Sequence, residues 1–565
     1  MVDKNLDYYP LWSLYFAQDG YTMSGDRIMG RQAAGNAYLK AILKSDISNI
    51  SLYLQNQKES DLAVEEIQKI LPKEKKIEVE RIQYDKPNLS KRYGGIFFPG
   101  PVLTKHAMNR SFFGHESYSL VGITHTTASH TVMSGISELL TYPVKPWDAV
   151  ICTSDVVLDT VNKILDRAFD QYKKILGATK KELPMLPVIP LGVHQEDFDF
   201  SDEFISNSRK NLNINEDDIV IVYVGRLSFH AKAHPVPMYL ALEDCAKEFK
   251  GEKKIHLIQT GWFANEFIEQ SFKAEAQKLC PSIICHFLDG KDQNEKFKTL
   301  AAGDIFMSLS DNHQETFGLT PLEGMASGLP VIVSDWNGYR STVRDTIDGF
   351  TIKSYSLGAG FGNDIAYQHM INFIDYNKYV GLTTQRVAID IKDCILKLKI
   401  LINDKNKRLE LGANGKKRAT NDLSWSHIID KYKDLAIELN NIRDSEGKND
   451  KKTISELPHD RMDPFDTFSS YPTEIINQST LYRKTTDINF INIKEFMEFA
   501  SVNYALESLP EKEDFIKVLD NIDTDKTTSI INLGEELNIS SKELHEIIIV
   551  LIKYGYICVE ESSNE

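Results

Sequence analysis

The 565-residue chain lacks the features of membrane-spanning, disulfide-stabilised and nucleic-acid-binding proteins. It has no apolar run near the roughly 20 residues that a transmembrane helix needs. Its N-terminal segment has neither the basic nor the apolar region of a signal peptide. The six cysteines have no paired spacing, which indicates free thiols in a reducing compartment. The net charge of −16 disfavours phosphate backbones as partners. We therefore expect a cytoplasmic protein that does not bind nucleic acid, with the inner membrane face as an alternative place of action.

The sequence also lacks a convincing set of metal ligands. His106, His115 and His130 are the nearest to a cluster, but none has ligand spacing on a clear helix or strand. We therefore expect no metal site and no bound cofactor.

What the chain does have is an alternation of apolar runs and amphipathic, charged segments, which is typical of an α/β protein. The length allows about three domains. A polar, charged segment at 444–453 predicts a linker, and the chain after 480 predicts a small, mostly helical module. The apolar runs predict strands at 11–17, 50–55, 77–84, 96–99, 118–124, 147–154, 187–193, 218–224, 255–261, 283–288 and 331–334.

The segment 315–330 carries the most specific pattern in the sequence. Glu315 and Glu323 stand eight positions apart, with Phe317, Gly318, Leu319 and Thr320 between them. Pro321 suits the first turn of a helix, which Gly328 and Pro330 end. The free N–H groups of that helix favour an anion, and the two acids suit hydroxyls on either side of it. An ordinary loop before an amphipathic helix is the alternative interpretation.

Three further segments place polar groups after predicted strands. Gly225 and Arg226 follow the strand at 218–224, and Lys232 comes six residues after Arg226. Arginine and lysine both suit a phosphate, although a structural ion pair is the alternative for Arg226. His125 follows the strand at 118–124, where a parallel sheet presents ligand-binding groups, or it is a structural loop histidine. A glycine-rich loop leads into a helix near Gly30, and either approaches a phosphate or is simply flexible.

Together these residues resemble retaining glycosyltransferases with the GT-B fold, the family-4 type that includes glycogen and sucrose synthases and phosphatidylinositol mannosyltransferase. The resemblance covers about 1–445. It implies two doubly wound Rossmann-like domains facing a cleft, at 1–195 and 196–423, with a return helix at 424–445. After a linker at 444–480, the module at 481–565 resembles an acidic winged helix, which predicts a protein partner or self-association. Residues 353–390 are interpreted as an insertion on the acceptor side.

The resemblance implies roles for the candidate residues. Arg226 and Lys232 bind the diphosphate of a nucleotide sugar, a UDP-sugar before a GDP-sugar, with Gly30, Gly225 and backbone groups of Phe317, Gly318, Leu319 and Thr320. Glu323 binds the ribose, whereas Glu315 and His125 bind the transferred hexose. The acceptor is a saccharide, a lipid-linked group or a protein. Transfer proceeds without a metal, on one face of the sugar, with the leaving phosphate oxygen taking the acceptor proton.

Three other functions are alternatives to a glycosyltransferase, and two of them would use the same cleft. An epimerase or a sugar phosphorylase would use the same donor site, and product analysis with the donor alone separates them from a transferase. A scaffold or regulatory protein would act through the C-terminal module instead.

Overall fold

The computed structural model describes residues 11–23, 30–248, 253–447, 461–486, 492–505 and 509–560. The chain divides into two compact units, Met1–Pro458 and His459–Glu565, and each is described by itself. The predicted linker starts inside the last helix of the first unit, which ends at Glu446, and its residues 448–453 lie outside the described part of the chain.

The first domain is a six-stranded parallel sheet with the strand order β3-β2-β1-β4-β5-β6. Each of its strands overlaps one of the first six predicted apolar runs, and none extends more than one residue beyond its run, so those predictions are confirmed. The elements are β1 (Ser13–Tyr15), α1 (Gln18–Tyr21), α2 (Gly30–Lys44), β2 (Asn49–Leu54), α3 (Gln57–Ile70), β3 (Glu78–Gln83), β4 (Gly95–Phe98), α4 (Thr104–Ser111), β5 (Ser119–Ile123), α5 (His130–Glu138), β6 (Ala149–Ile151) and α6 (Asp155–Leu176).

The seventh predicted strand, at 187–193, is wrong. This segment runs beside the end of β6, and Ile189 N donates to Cys152 O at 3.0 Å, but the pairing is limited to isolated bridges. Pro187 and Pro190 explain the difference, because neither has a backbone N–H to donate to a ladder.

The second domain has a parallel sheet with the order β12-β11-β10-β7-β8-β9. Its buried strands are nearly continuous apolar runs, as expected when helices cover both faces of a parallel sheet. The elements are α7 (Asp202–Lys210), β7 (Ile219–Val224), α8 (Pro235–Glu248), β8 (Ile255–Gly261), α9 (Glu266–Leu279), β9 (Ile284–Asp289), α10 (Gln293–Ala302), β10 (Ile305–Ser308), α11 (Leu319–Ala326), β11 (Val331–Ser334), α12 (Tyr339–Thr342) and β12 (Gly349–Ile352). The predicted pair of doubly wound α/β domains is thereby confirmed.

The segment 353–390, which we call the excursion, leaves the second sheet after β12. It consists of β13 (Ser354–Ser356), α13 (Asn363–Met370), α14 (Tyr376–Thr384) and β14 (Val387–Ile389), and β13 pairs antiparallel with β14. Three helices then complete the unit: α15 (Ile391–Asn403), α16 (Lys405–Asn421) and α17 (Trp425–Glu446).

Helix α17 packs on the first domain. The Tyr432 ring lies 5.0 Å from the Tyr38 ring and 6.1 Å from the Phe97 ring. Near the end of the helix, the Arg443 guanidinium donates to Ser119 Oγ at 3.0 Å. The chain therefore closes its second domain by returning to its first.

The second compact unit has a three-stranded sheet with the order β16-β15-β17. The five positions predicted to form its core, Leu533, Leu537, Leu544, Ile548 and Leu551, are all buried, which confirms that prediction. The winged-helix resemblance stays a prediction. The elements are α18 (Pro464–Thr467), β15 (Leu481–Lys484), α19 (Ile493–Phe496), α20 (Ala500–Asn503), α21 (Lys512–Asp520), β16 (Thr528–Ser529), α22 (Ile530–Leu537), α23 (Ser541–Lys553) and β17 (Ile557–Glu560).

Candidate functional site

The site begins with a loop that runs from the end of β10 to helix α11. The helix starts at Leu319 with Gly318 as its N-cap, so Pro321 lies in the first turn, as predicted. Gly318 has a φ of +99°, and a Cβ there would lie 2.4 Å from the Tyr339 ring, so only glycine fits. None of the described side chains caps this end of α11, so its first N–H groups lack a side-chain acceptor.

Glu315 and Lys232 form an ion pair in the middle of this loop. Lys232 Nζ lies 2.5 Å from Glu315 Oε2, and both side chains are largely buried. Burial alone would raise the pKa of Glu315, but the charge of Lys232 and the N–H groups of Thr316 and Phe317 outweigh it and lower the pKa. Burial likewise works against charged Lys232, and the Glu315 carboxylate reverses this and raises the lysine pKa. Both groups are therefore held in their charged forms.

The sequence did not indicate this pairing. It assigned Lys232 to a phosphate and Glu315 to a sugar, whereas the structure joins the two. The loop also holds the lysine backbone, since Ser310 Oγ donates to Lys232 O at 3.0 Å and the Asn312 side chain donates to the same oxygen. The spacing of the sequence does not predict these contacts, because they depend on how the loop folds back against the end of β7.

Arg226 lies beside the pair, directly after β7. Gly225 precedes it with a φ of +150°, and its carbonyl oxygen is so close to Gly261 that a Cβ on Gly261 would lie 1.9 Å away. Arg226 Nη2 donates to Ala231 O at 2.8 Å, and the guanidinium carbon lies 5.8 Å from the centre of the Trp262 ring. Burial lowers the pKa of Arg226, yet a guanidinium stays charged throughout the physiological range.

Glu323 lies on α11 and pairs with a residue that the sequence did not single out. Lys296 Nζ lies 2.9 Å from Glu323 Oε1, and the same ammonium group lies 5.7 Å from the Phe198 ring centre. Glu323 Oε2 is buried and has no hydrogen-bond partner in the described part of the chain. A buried carboxylate oxygen without a partner favours a ligand hydroxyl that would donate to it.

His125 reaches the loop from the first domain. Thr316 Oγ1 donates to His125 O at 3.0 Å, and Ser154 Oγ donates to Thr316 O at 2.8 Å. The His125 Nε2 atom is buried, and none of the described residues makes a hydrogen bond to it. Burial, with a smaller contribution from the charge of Arg31, lowers the pKa of His125 to about 3. The imidazole is therefore neutral at physiological pH, which suits contact with a sugar hydroxyl.

Gly30, the remaining candidate from the first domain, lies at the start of α2. It is the first residue of α2, and a Cβ there would meet nothing within 4 Å, so the structure gives no steric reason for glycine. Its neighbour Arg31 influences the pKa of His125 through its charge, which puts the start of α2 on the same side of the first domain. The other donor-site candidates, Phe317, Leu319 and Thr320, lie on the loop and on the first turn of α11.

The described residues hold neither a cluster of metal ligands nor a helix that could span a membrane. No group of three or more histidine, cysteine, aspartate or glutamate side chains in these ranges is arranged to hold a metal ion. No helix found there combines the length and the apolar character needed to span a bilayer.

The comparison with protein families concerns the second domain. Residues 204–359 match the family described as glycosyl transferases group 1. A D-inositol 3-phosphate glycosyltransferase from Geodermatophilus obscurus is 25% identical over 37% of this chain and 46% of its own length. An alpha-monoglucosyldiacylglycerol synthase from Streptococcus pneumoniae is 30% identical over 33% of this chain and 37% of its own. The chain thus spans less than half the length of these two relatives.

Among solved structures, the Anabaena protein HepE, crystallised with UDP and glucose, is similar at 16% identity and a TM-score of 0.46, over 74% of this chain and 98% of its own. The matched family segment, 204–359, contains Gly225, Arg226, Lys232, Glu315 and Glu323. The second Rossmann-like domain of this chain therefore contains a segment that is similar to the group 1 glycosyl transferases.

Proposed function

We propose that the protein is a retaining glycosyltransferase that moves a hexose from a nucleotide diphosphate sugar to an acceptor. The observation that carries this proposal is the grouping of Arg226, the Lys232–Glu315 pair and the uncapped start of α11 around one loop. All of these lie within the segment that matches the group 1 family. Two cations and a helix N-terminus suit a diphosphate, and the two acids suit the hydroxyls on either side of it.

The diphosphate is the leaving group, so negative charge grows on it as the glycosidic bond breaks. Arg226 and Lys232 stabilise that charge from fixed positions, which lowers the barrier rather than merely tightening binding. When a diphosphate approaches Lys232, Glu315 shares the lysine with it and is free to accept a hydrogen bond from the sugar. In this mechanism the cationic side chains take the part that a divalent metal plays in other transferases.

The other end of the nucleotide lies along α11. Lys296 holds one oxygen of Glu323 and leaves Oε2 to accept from a ribose hydroxyl. From the first domain, neutral His125 contacts the transferred sugar. The leaving phosphate oxygen takes the proton of the acceptor hydroxyl on the same face of the sugar, so the anomeric configuration is retained.

The acceptor remains open between a saccharide, a lipid-linked group and a protein. The relatives named above differ in this respect, since one is named for an inositol phosphate and the other for a diacylglycerol. We place the reaction in the cytoplasm or at the inner membrane face, and we propose that residues 481–565 bind a protein or a second copy of the chain.

Thermal unfolding of the whole chain with a panel of UDP- and GDP-sugars tests this proposal. A donor present at a hundred times its dissociation constant stabilises the native state by about 2.7 kcal/mol, and the Arg226→Ala variant loses most of that gain. Incubation of the stabilising donor with and without acceptors then identifies the products, and proton NMR reports their anomeric configuration. A panel in which no nucleotide sugar stabilises the protein would contradict the proposal, and conversion of the donor alone to an epimer would replace it.

A further inference from the structure

The excursion contacts both Rossmann-like domains. On the first domain, Thr126 Oγ1 lies 3.4 Å from the hydroxyl oxygen of Tyr376, and the His130 ring lies 5.5 Å from the His369 ring. On the second domain, Thr384 Oγ1 donates to His230 O at 3.4 Å. A segment with contacts on both domains is positioned to influence what binds between them.

Tyr376 is a residue of the excursion that contacts the loop of the candidate site. It is the first residue of α14, and the Asp375 side chain fixes that helix start by accepting from Lys378 N at 2.8 Å. Its hydroxyl donates to Gln314 Oε1 at 3.0 Å. Burial raises the pKa of Tyr376, and the charges of Arg226 and Glu315 also act on it. The hydroxyl is therefore protonated at neutral pH and lies within electrostatic reach of both groups.

Gln314 passes this contact on to the arginine. Its amide oxygen accepts from Tyr376, and its amide nitrogen donates to Ala231 O. Arg226 Nη2 donates to the same carbonyl oxygen at 2.8 Å. The two ends of the Gln314 side chain thus have complementary partners, and one carbonyl holds both Gln314 and Arg226.

We propose that Tyr376 is a positioning residue for the diphosphate site. Its hydroxyl orients Gln314, and the shared Ala231 carbonyl then holds the Arg226 guanidinium where a terminal phosphate binds. This inference rests on the proposed function, because it assigns a purpose to Arg226 that only a diphosphate ligand fulfils. It also gives the excursion a role in donor recognition, in addition to the predicted role on the acceptor side.

Nucleotide affinities test whether Tyr376 positions Arg226. Calorimetry on the full chain compares UDP with UMP, and GDP with GMP, because only the diphosphate has the terminal phosphate that Arg226 would hold. Replacing Tyr376→Phe removes one hydroxyl and keeps the ring. We expect it to weaken diphosphate binding about five- to tenfold, which lies within the range for one hydrogen bond, and to leave monophosphate binding within twofold.

A double-mutant cycle tests the route through Gln314. If Tyr376 acts through Gln314, the Tyr376→Phe change has no further effect on diphosphate affinity in a Gln314→Ala background. Tyr379→Phe is the matched control, since Tyr379 lies on the same helix and stacks its ring on His369, 4.1 Å away, a contact that phenylalanine keeps. That variant should bind both nucleotides like the wild type.

The outcomes separate this inference from the proposed function. A wild-type chain that binds neither diphosphate overturns both. A wild-type chain that binds a diphosphate, together with a Tyr376→Phe variant that binds it equally well, overturns the positioning role alone. Equal weakening of mono- and diphosphate binding also overturns it, because the effect is then not specific to the terminal phosphate.

Discussion

At the scale of single residues, the site is built from charges that hold one another in place. Lys232 pairs with Glu315, and Lys296 pairs with Glu323. Arg226 donates a hydrogen bond to a backbone carbonyl and lies beside a tryptophan ring. Each cation is thereby positioned before a ligand arrives, so less conformational entropy is lost when the ligand binds. Such preorganisation is what stabilisation of a growing charge requires.

Replacing Arg226→Ala removes one charge-assisted contact to the diphosphate. We expect kcat/KM to fall by one to two decades, which corresponds to about 1.5–3 kcal/mol. The Arg340→Ala variant is the control, because Arg340 pairs with Asp335 on an exposed surface. Steady-state kinetics with the best donor measures both, and turnover of the Arg226 variant at the wild-type rate would remove Arg226 from the site.

Replacing Glu315→Gln leaves Lys232 buried without its partner. We expect a loss of about 3 kcal/mol in the free energy of unfolding at pH 7, seen as a lower melting temperature. The Glu269→Gln variant breaks an exposed pair with Lys273 and should change stability little.

The pH dependence of that loss follows from the lowered pKa of Glu315. A carboxylate with a depressed pKa stabilises the folded state above its unfolded pKa, about 4.3, and this contribution disappears as the pH falls through the folded value. The difference in melting temperature between wild type and Glu315→Gln should therefore narrow in acid below about pH 4. A difference that stays constant down to the lowest pH at which the protein folds would show that the ion pair is not its source.

Removal of divalent metal is expected to leave transfer unchanged, because Arg226, Lys232 and the start of α11 already supply the positive charge. Activity is measured before and after EDTA treatment, and again after magnesium or manganese is added back. Strict dependence on the added ion would contradict the proposed mechanism.

At the scale of elements, the conformation of the loop before α11 depends on the turn at Gly318. Replacing Gly318→Ala forces a Cβ against the Tyr339 ring at a φ that alanine disfavours. We expect a loss of about 1–3 kcal/mol in stability and weaker donor binding. Gly328→Ala is a matched control at the other end of the helix, where φ is also positive but the nearest atom, Lys416 Cδ, is 3.8 Å from the added Cβ. Donor affinity should survive the control even if some stability is lost.

The strands were the easiest elements to predict, because a parallel sheet buries its strands on both faces. The run at 255–261, for example, has the same bounds as β8, and that at 331–334 as β11. The run at 187–193 was wrongly predicted to be a strand. It is apolar and extended, but its prolines have no backbone N–H to donate to a neighbouring strand. Apolar content reports burial, whereas hydrogen-bonding capacity decides strand pairing.

The contacts inside the site could not be predicted from the sequence. Arg226 was singled out by its residue type and its position after a predicted strand, and Glu315 by its spacing from Glu323 and its position before a predicted helix. Lys296 and Tyr376 were missed because no spacing connects them to Glu323 or Gln314; only the packing of α10 and α14 brings them there. The excursion was predicted as an insertion, but nothing in its sequence marks Tyr376 among the neighbouring aromatic residues.

At the scale of the whole molecule, the candidate donor site lies entirely within the first compact unit. A chain ending at residue 458 should therefore fold and bind the donor with wild-type affinity, since few contacts cross such a boundary. Calorimetry of the whole chain should show a separate melting transition for the second unit, which is small enough to be only marginally stable. If the shortened chain is folded but no longer binds the donor, the second unit must contribute to the cleft.

Thr316 has a consequence for observing the protein at work. It lies between Glu315 and Phe317, accepts from Ser154 with its carbonyl oxygen and donates to the His125 carbonyl with its hydroxyl. Any ligand that displaces this loop must either break both hydrogen bonds or move the first domain with it. As long as both hydrogen bonds hold, the position of the loop and the separation of the two domains change together. Fluorophores placed on α6 and α16 would then report donor occupancy in real time, without a label on the sugar or the nucleotide.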